Sequence, residues 1–274
     1  MAQLWRRTWR VVVGPVDVSE LDVDFTVYKS KKREPNKATV TVYGLSANTR
    51  QRIEGTRPRV EVYAGYEPGD PPLLFVGEAT RAQGVVTEAD GVEVITTIEA
   101  KDQGDSYQRA RINRSFAAGA AVGDVLTVAV DALGIGRGNL SDFVRGLELS
   151  NGATTFPEGF VASGAARDVV DSLVRGAGLR WSVQNGVFTV RERGRPVQNR
   201  ATLLKPETGL VGSPTADERG VVTATCLIQP GLDPGRRVVL ESRQFNGGYA
   251  VRSVEYSGST SGSDWYAKLV LEPY

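Results

Sequence analysis

The sequence predicts a mainly β protein of the α+β class, with antiparallel strands at both ends and a small α+β segment between them. Three observations carry this. Apolar and polar residues alternate through residues 1–105 and again after residue 200, the two-residue period of half-buried strands. Between those stretches the period changes, with Val122, Val125, Leu126, Ala129 and Leu133 at helical spacing. Tight-turn dipeptides such as Asp90-Gly91 and Asn185-Gly186 separate runs of β-forming residues, as hairpins require.

In chain order, Trp5 to Val13 and Leu21 to Tyr28 read as two strands joined across Gly14-Pro15-Val16-Asp17. Asp17, Glu20, Asp22 and Asp24 lack the glycine and terminal glutamate of a calcium loop, so Asp22 and Asp24 are assigned to a wet strand face. In Pro35 to Tyr43, Ala38, Val40 and Val42 alternate with Thr39, Thr41 and Tyr43. Gly44 ends that strand, Ser46 caps a short helix starting at Ala47, and Gly55 is placed to close it. Arg59 to Tyr66, Leu73 to Ala79, Val85 to Thr87 and Val92 to Ala100 complete an antiparallel barrel or sandwich, the last two flanking Glu88-Ala89-Asp90-Gly91.

The middle segment opens on the helix that ends at Leu133-Gly134. Leu133 to Gly138 has the glycines of a nucleotide loop but follows a helix and lacks the P-loop lysine, so it reads as a flexible connector. A second helix is expected from Ser163, with Ala166, Val169, Val170, Leu173 and Val174 on one stripe. Leu179 to Val190 then forms a hairpin about Asn185-Gly186. From Ala201 strands return: Val221 to Ile228, Arg236 to Glu241, Tyr249 to Ser257 and Trp265 to Leu271. The first two are joined by the Pro230 to Gly235 turn, the last two by the Gly258 to Ser263 loop. The expected organisation is 1–105, a first barrel; 106–200, an insert of two helices and a hairpin; and 201–274, a second barrel.

Composition narrows the chemistry. The 274 residues are 41% hydrophobic and 24% charged with a net charge of +1, which gives no global electrostatic case for nucleic-acid or membrane binding. No apolar run reaches the roughly 20 residues of a membrane-spanning helix, and the N-terminal residues lack the apolar core of an export signal. There is no histidine and one cysteine, Cys226, which excludes Ser-His-Asp and Cys-His catalysis and any intrachain disulfide. Cys226 sits in a strand-like run and reads as a small buried hydrophobe. No cofactor or metal is expected.

Two stretches resemble a known family. "PNKATVTVYGLSANTRQRI", residues 35–53, is similar to a strand-and-helix of the hub proteins of phage tail baseplates. Thr208-Gly209-Leu210-Val211-Gly212-Ser213-Pro214, the Pro230 to Gly235 turn and the Gly258 to Tyr266 segment resemble, in that order, the closing barrel of the same hubs; Gly44 stands where the family often has asparagine. The resemblance implies two tail-tube-like antiparallel β-barrels and a structural, non-enzymatic role. It implies a virion protein of the tail baseplate, assembled in the host cytoplasm. Two barrels per chain and six positions in the ring give a homotrimer, which joins the six-fold tail tube protein above to the three-fold central spike protein below. Tape-measure protein and DNA would pass through the lumen, with other baseplate proteins packed around it.

Two other readings stand beside this. A glycosidase would need paired carboxylates, for which Glu158, Asp168 and Asp171 are the candidates, yet no length is left for a separate lysozyme domain. A carbohydrate-binding receptor-recognition β-module at the tail tip would stack sugars on Trp5, Trp9, Trp181 or Trp265, residues whose alternating strand context points to packing instead. Candidate inter-subunit or partner contacts are the basic run Lys29, Lys31, Lys32 and Arg33 and the loop positions Gly258, Ser261 and Ser263. The basic run is a solvated turn or a loop that touches an acidic partner.

Overall fold

The computed structural model describes residues 6–31, 34–54, 56–88, 92–149, 153–192 and 201–273; at 81–88, 92–93, 105–106, 149 and 192 it describes the backbone only. The first hundred residues supply β1 (Arg7–Val13), β2 (Val16–Asp17), β3 (Val23–Ser30), β4 (Lys37–Tyr43), α1 (Ala47–Ile53), β5 (Arg59–Tyr66), β6 (Leu73–Glu88) and β7 (Val92–Lys101). The middle supplies α2 (Asp105–Arg109), β8 (Arg111–Phe116), β9 (Ala120–Ala121), α3 (Val122–Ala132), α4 (Leu140–Leu149), β10 (Thr155–Phe156), β11 (Phe160–Ala165), α5 (Ala166–Gly176), β12 (Leu179–Gln184) and β13 (Val187–Glu192). The end supplies β14 (Ala201–Leu204), β15 (Leu210–Ala216), β16 (Val222–Leu227), β17 (Arg237–Glu241), β18 (Asn246–Ser259) and β19 (Trp265–Pro273).

The chain is mainly β and divides into two compact units. One is built from Met1–Asp102 together with Gln198–Tyr274, the other from Gln103–Val197. The two ends, expected as two barrels, therefore lie in one unit. They share a 13-stranded sheet in the order β15-β16-β19-β18-β3-β4-β7-β6-β5-β1-β2, with β17 on β18 and β14 on β17. The join is β3 against β18, antiparallel from Ser253↔Ser30 to Ser259↔Asp24. Each end thus supplies the strand that pairs the other's otherwise open edge. One core runs through both, from Val11, Phe25 and Val40 to Leu240, Trp265 and Leu269.

The strand pairing departs from the hairpins that the turn residues suggest. The Pro230 to Gly235 turn does not fold β16 onto β17: β16 pairs with β15 and β19, and β17 with β14 and β18. Leu232 in that segment is buried in the core, and the segment joins strands that do not pair with each other. The α1 cap is as expected, Ser46 Oγ accepting from the Thr49 N–H at 3.2 Å; Gly55 and residues 89–91 of the expected turn lie outside the described residues.

In the second unit, the helix expected from Ser163 begins at Ala166, because Phe160–Ala165 is drawn into a strand against Arg111–Phe116. The insert also holds α4, whose Phe143 and Leu147 enter its core. The glycine-rich stretch after α3 is pinned, not flexible: the Gly136 N–H donates to Gly186 O at 2.8 Å and the Phe188 N–H to Gly136 O at 2.7 Å. Gly138 shows why glycine is required, since its φ is +49° and a Cβ there would lie 1.8 Å from Phe188 O. The Asn185-Gly186 turn has positive φ at both residues, 53° and 71°, as a type I′ hairpin demands.

Candidate functional site

Buried polar side chains gather at the seam between β3 and β18, where the two ends of the chain meet. Lys29, expected in a surface loop, points from β3 into the core and is fully buried. Its ammonium donates to Leu74 O at 3.2 Å and forms an ion pair with Asp233, a residue of the 230–235 turn. A buried ammonium is tolerated only with such partners. A side chain in that position cannot meet another subunit.

Beside it lies a second buried polar group. Asn36, the asparagine of the "PN" pair, donates its backbone N–H and its Nδ2 to the two carboxylate oxygens of Asp102, at 2.9 and 2.7 Å. Asn36 Oδ1 accepts from the Ser30 N–H at 2.9 Å, and the Asp102 N–H donates to Asn36 O at 3.1 Å. Burial pushes the Asp102 carboxyl up to about 7, against the lowering effect of the Asn36 donors and of the Lys29 charge. The asparagine that sequence reading used only as a family letter is thus the anchor of the β3–β4 corner.

The remaining candidates separate into two groups. Lys31 is mostly covered and paired with Glu272 of β19, while Lys32 and Arg33 lie outside the described residues. Gly258 is not in a loop: it is a buried residue of β18, and a Cβ there would lie 2.3 Å from Phe25 Cζ and 3.0 Å from Trp265. Ser261 and Ser263 are exposed. Their loop is held by a residue sequence reading missed, Arg7, which donates to the carbonyls of Ser259, Gly262 and Ser263 at 3.1, 2.7 and 2.7 Å. The Arg7 guanidinium also sits 5.2 Å from the centroid of the Trp265 ring. Nothing in the local pattern marks Arg7, because the partner loop is more than 250 residues away.

The aromatic and acidic candidates have internal uses. Trp265 is buried, edge-on to Trp9 at 6.0 Å and to Phe25 at 5.5 Å, and its Nε1–H donates to Gly65 O. Trp181 donates to Asp171, which also pairs with Arg175 at 3.0 Å, and Asp168 lies 3.7 Å from Arg167. Glu158 is exposed in a turn. Trp5 lies outside the described residues. Cys226 is buried, and burial pushes its thiol up to about 12, so it is an inert core side chain. Asp17 and Asp24, considered for a cation, bond to Ser19 and Tyr43.

The sheet face opposite the core is polar across the seam. One row of mutually paired positions reads Thr225, Lys268, Glu255, Tyr28, Lys37, Lys101, Glu78, Arg59, and crosses eight strands from β16 to β5. The adjacent row includes Tyr266, Ser257, Thr26, Thr39 and Glu99. Hydroxyls and charges of both signs cover this face; the opposite charges of Lys268 and Glu255 favour the register, while Lys37 and Lys101 meet as like charges.

A family model described as baseplate hub gp41 matches residues 10–270. No curated protein matches the sequence. Among solved structures, the 43 kDa tail protein of prophage MuSo2 from Shewanella oneidensis is similar with a TM-score of 0.64 at 7% identity, covering 96% of each chain. A tail protein from Neisseria meningitidis MC58 gives 0.65 at 8% identity, covering 98% of this chain and 97% of that one. The Escherichia coli c3393 protein gives 0.51 at 10% identity, covering 98% and 77%. That protein is described as a type VI secretion component structurally similar to the T4 tail proteins gp27 and gp5.

Proposed function

The chain belongs to the baseplate hub gp41 family, a structural component of the phage tail, and on that premise we propose that three copies form a ring with pseudo-six-fold symmetry in the baseplate. Each copy contributes two tube-like wall segments, one from the strands of residues 7–101 and one from those of 201–273. The ring joins the six-fold tail tube protein above to the three-fold central spike protein below, without a symmetry mismatch at the chain level. Assembly in the host cytoplasm and passage of tape-measure protein and DNA through the lumen belong to the same reading.

The observation that carries it is the single sheet through both ends, one face core and the other polar in register from β16 to β5. A conduit needs a wall that is rigid and does not adhere to what passes. Hydroxyl-rich rows with charges of both signs meet that need, whereas a uniformly basic face would hold a polyanion. The polar face, with Tyr28, Thr39, Glu255 and Lys268, is therefore assigned to the lumen. Cryo-electron microscopy of the assembled tail tests this: three copies around the axis with that face inward is the expected result. Six copies, or that face buried against another baseplate protein, would overturn it.

A further inference from the structure

The second unit repeats itself. Residues 121–134, AVGDVLTVAVDALG, align without a gap on residues 165–178, AARDVVDSLVRGAG. They hold α3 and α5, each 11 residues long, with buried positions in step from Val122 and Ala166 to Val130 and Val174. A glycine at positive φ follows each helix, Gly134 at 69° and Gly178 at 73°. The strands before the helices pair about Phe116↔Phe160, which hold matching places in the two halves. On one side of that pair Arg111 faces Ala165, the cap residue of α5; on the other Thr155 faces Ala121, the cap residue of α3. Arg111 and Thr155 are therefore two versions of one position.

The halves differ in charge. Arg109, Arg111 and Arg167 are exposed at one end of the β8–β11 ribbon. The Ala166 N–H donates to Ala110 O at 3.0 Å there, and Arg167 Nη1 donates to Gln108 Oε1 at 2.9 Å. Their counterparts in the other half are Ala153, Thr155 and Gly123, so the fold itself does not demand arginine at these places. Arg137, Arg145 and Arg175 of the same unit are each matched by an aspartate. Arg167 lies 3.7 Å from Asp168, and Arg111 has no acidic partner among the described residues. From this end the outer side of the ribbon runs through the pair Asn113↔Ser163 to the pair Ser115↔Val161. Val161 is 65% exposed, more than any other large hydrophobic side chain among the described residues, and its counterpart is Ala117.

We propose that this face docks an extended segment of another protein, one that carries a carboxylate and an apolar side chain about four residues apart. Guanidinium groups at the Arg111 end match the carboxylate in charge and in hydrogen-bond geometry. Asn113, Ser115 and Ser163 offer amide and hydroxyl partners between, and Val161 gains from being covered. A nucleic acid fits worse, because few positive charges stand here, Asp168 is among them, and the valine would go unused. The surface belongs to the second unit alone and does not depend on the ring.

The test uses the full-length protein and a short labelled peptide of threonine alternating with glutamate at one end and valine at the other. Binding is read by fluorescence anisotropy and located by hydrogen exchange. The expected result is saturable binding that slows exchange in residues 111–115 and 161–165. It should weaken roughly tenfold in Arg111→Thr with Arg167→Ala, and similarly when lysine replaces glutamate in the peptide. Val161→Thr should weaken it by a smaller factor. The arginine variant is expected to keep its melting temperature, and if it does not, the two peptides compared on the wild-type protein still decide the matter. Equal binding of the glutamate and lysine peptides, or binding of neither, would overturn the proposal. So would tighter, arginine-dependent binding of a single-stranded oligonucleotide, which would make the partner a nucleic acid.

Discussion

The two compact units are stabilised by different kinds of order. In the unit built from both chain ends, the pairing that holds the sheet together joins Asp24–Ser30 to Ser253–Ser259, and its buried charge pair joins residues 204 apart in sequence, Lys29 and Asp233. In the unit built from residues 103–197, helices and a tight hairpin form between near neighbours, and glycine turns bring them together. Non-local pairing has to bear a large loop-closure entropy before it is rewarded, while local pairing does not. The first unit should therefore depend on a few long-range polar ties, and the second on backbone conformations that only particular residues adopt.

The sharpest way to break that contrast is Asp233→Ala. It leaves the buried Lys29 ammonium without its carboxylate, and the expected loss is about 3–5 kcal/mol. Hydrogen exchange resolved by peptide should show faster exchange in β3 and β18 with residues 111–192 unchanged. Equal acceleration in both units would mean that the charge pair is not local to the first.

Asp102 tests the same unit through pH. Its folded value, about 7, is raised from 3.8 mainly by burial, so the native state holds a proton that the unfolded chain releases. The stability this contributes is fully present below about pH 4 and is lost as pH rises through 7. Asp102→Asn should remove that fall, on the order of 3 kcal/mol in relative stability between pH 4 and 8. Urea titrations of both proteins across that range check it, and parallel curves would contradict it. Asp17, Glu61 and Asp131, each held below its usual value by hydrogen bonds and nearby arginines, act in the opposite direction, but they are common to both proteins and cancel.

Gly258→Ala and Gly138→Ala form a matched pair, one per unit. The first forces a methyl against Phe25 and Trp265, the second against the Phe188 carbonyl at positive φ; each should cost about 1–3 kcal/mol. Exchange should rise in the first unit for one and in the second unit for the other. The smallest effect belongs to Gly186→Val, expected to cost about 1–2 kcal/mol because a β-branched residue is strained at a φ of 71°. An unchanged melting temperature would show that the turn relaxes to another type.

Features with a local cause were legible. The Ala38-Val40-Val42 alternation, the Ser46 cap and the Asn185-Gly186 turn each follow from neighbouring residues. Elements fixed by distant partners were not. Ser163 to Ala165 continue the apparent helix of α5 in sequence but are taken by β8 as a strand, a case of tertiary pairing outweighing propensity. Helix α4 does carry a local signal, the helical spacing of Leu140, Phe143, Val144 and Leu147. The glycines at 134, 136 and 138 just before it, and Gly146 within it, mask that stripe by suggesting a loop. The lysine run misled because charge suggests exposure, whereas Lys29 occupies an inward position of β3.

The sequence by itself determined the mainly β class, the change of character near residues 105 and 200, the tight turns and the absence of histidine chemistry, because composition and short-range steric preference act within a few residues. Tertiary structure alone decided that both ends share one sheet, that Lys29 and Asp233 neutralise each other inside it, that Arg7 holds the 259–263 loop, and that Asn36 clasps Asp102. Those facts depend on which strand edges meet. A strand's own letters set its two faces, but the hydrogen-bonding edge is the same backbone in every strand, so its partner is chosen only when the whole sheet closes around its core.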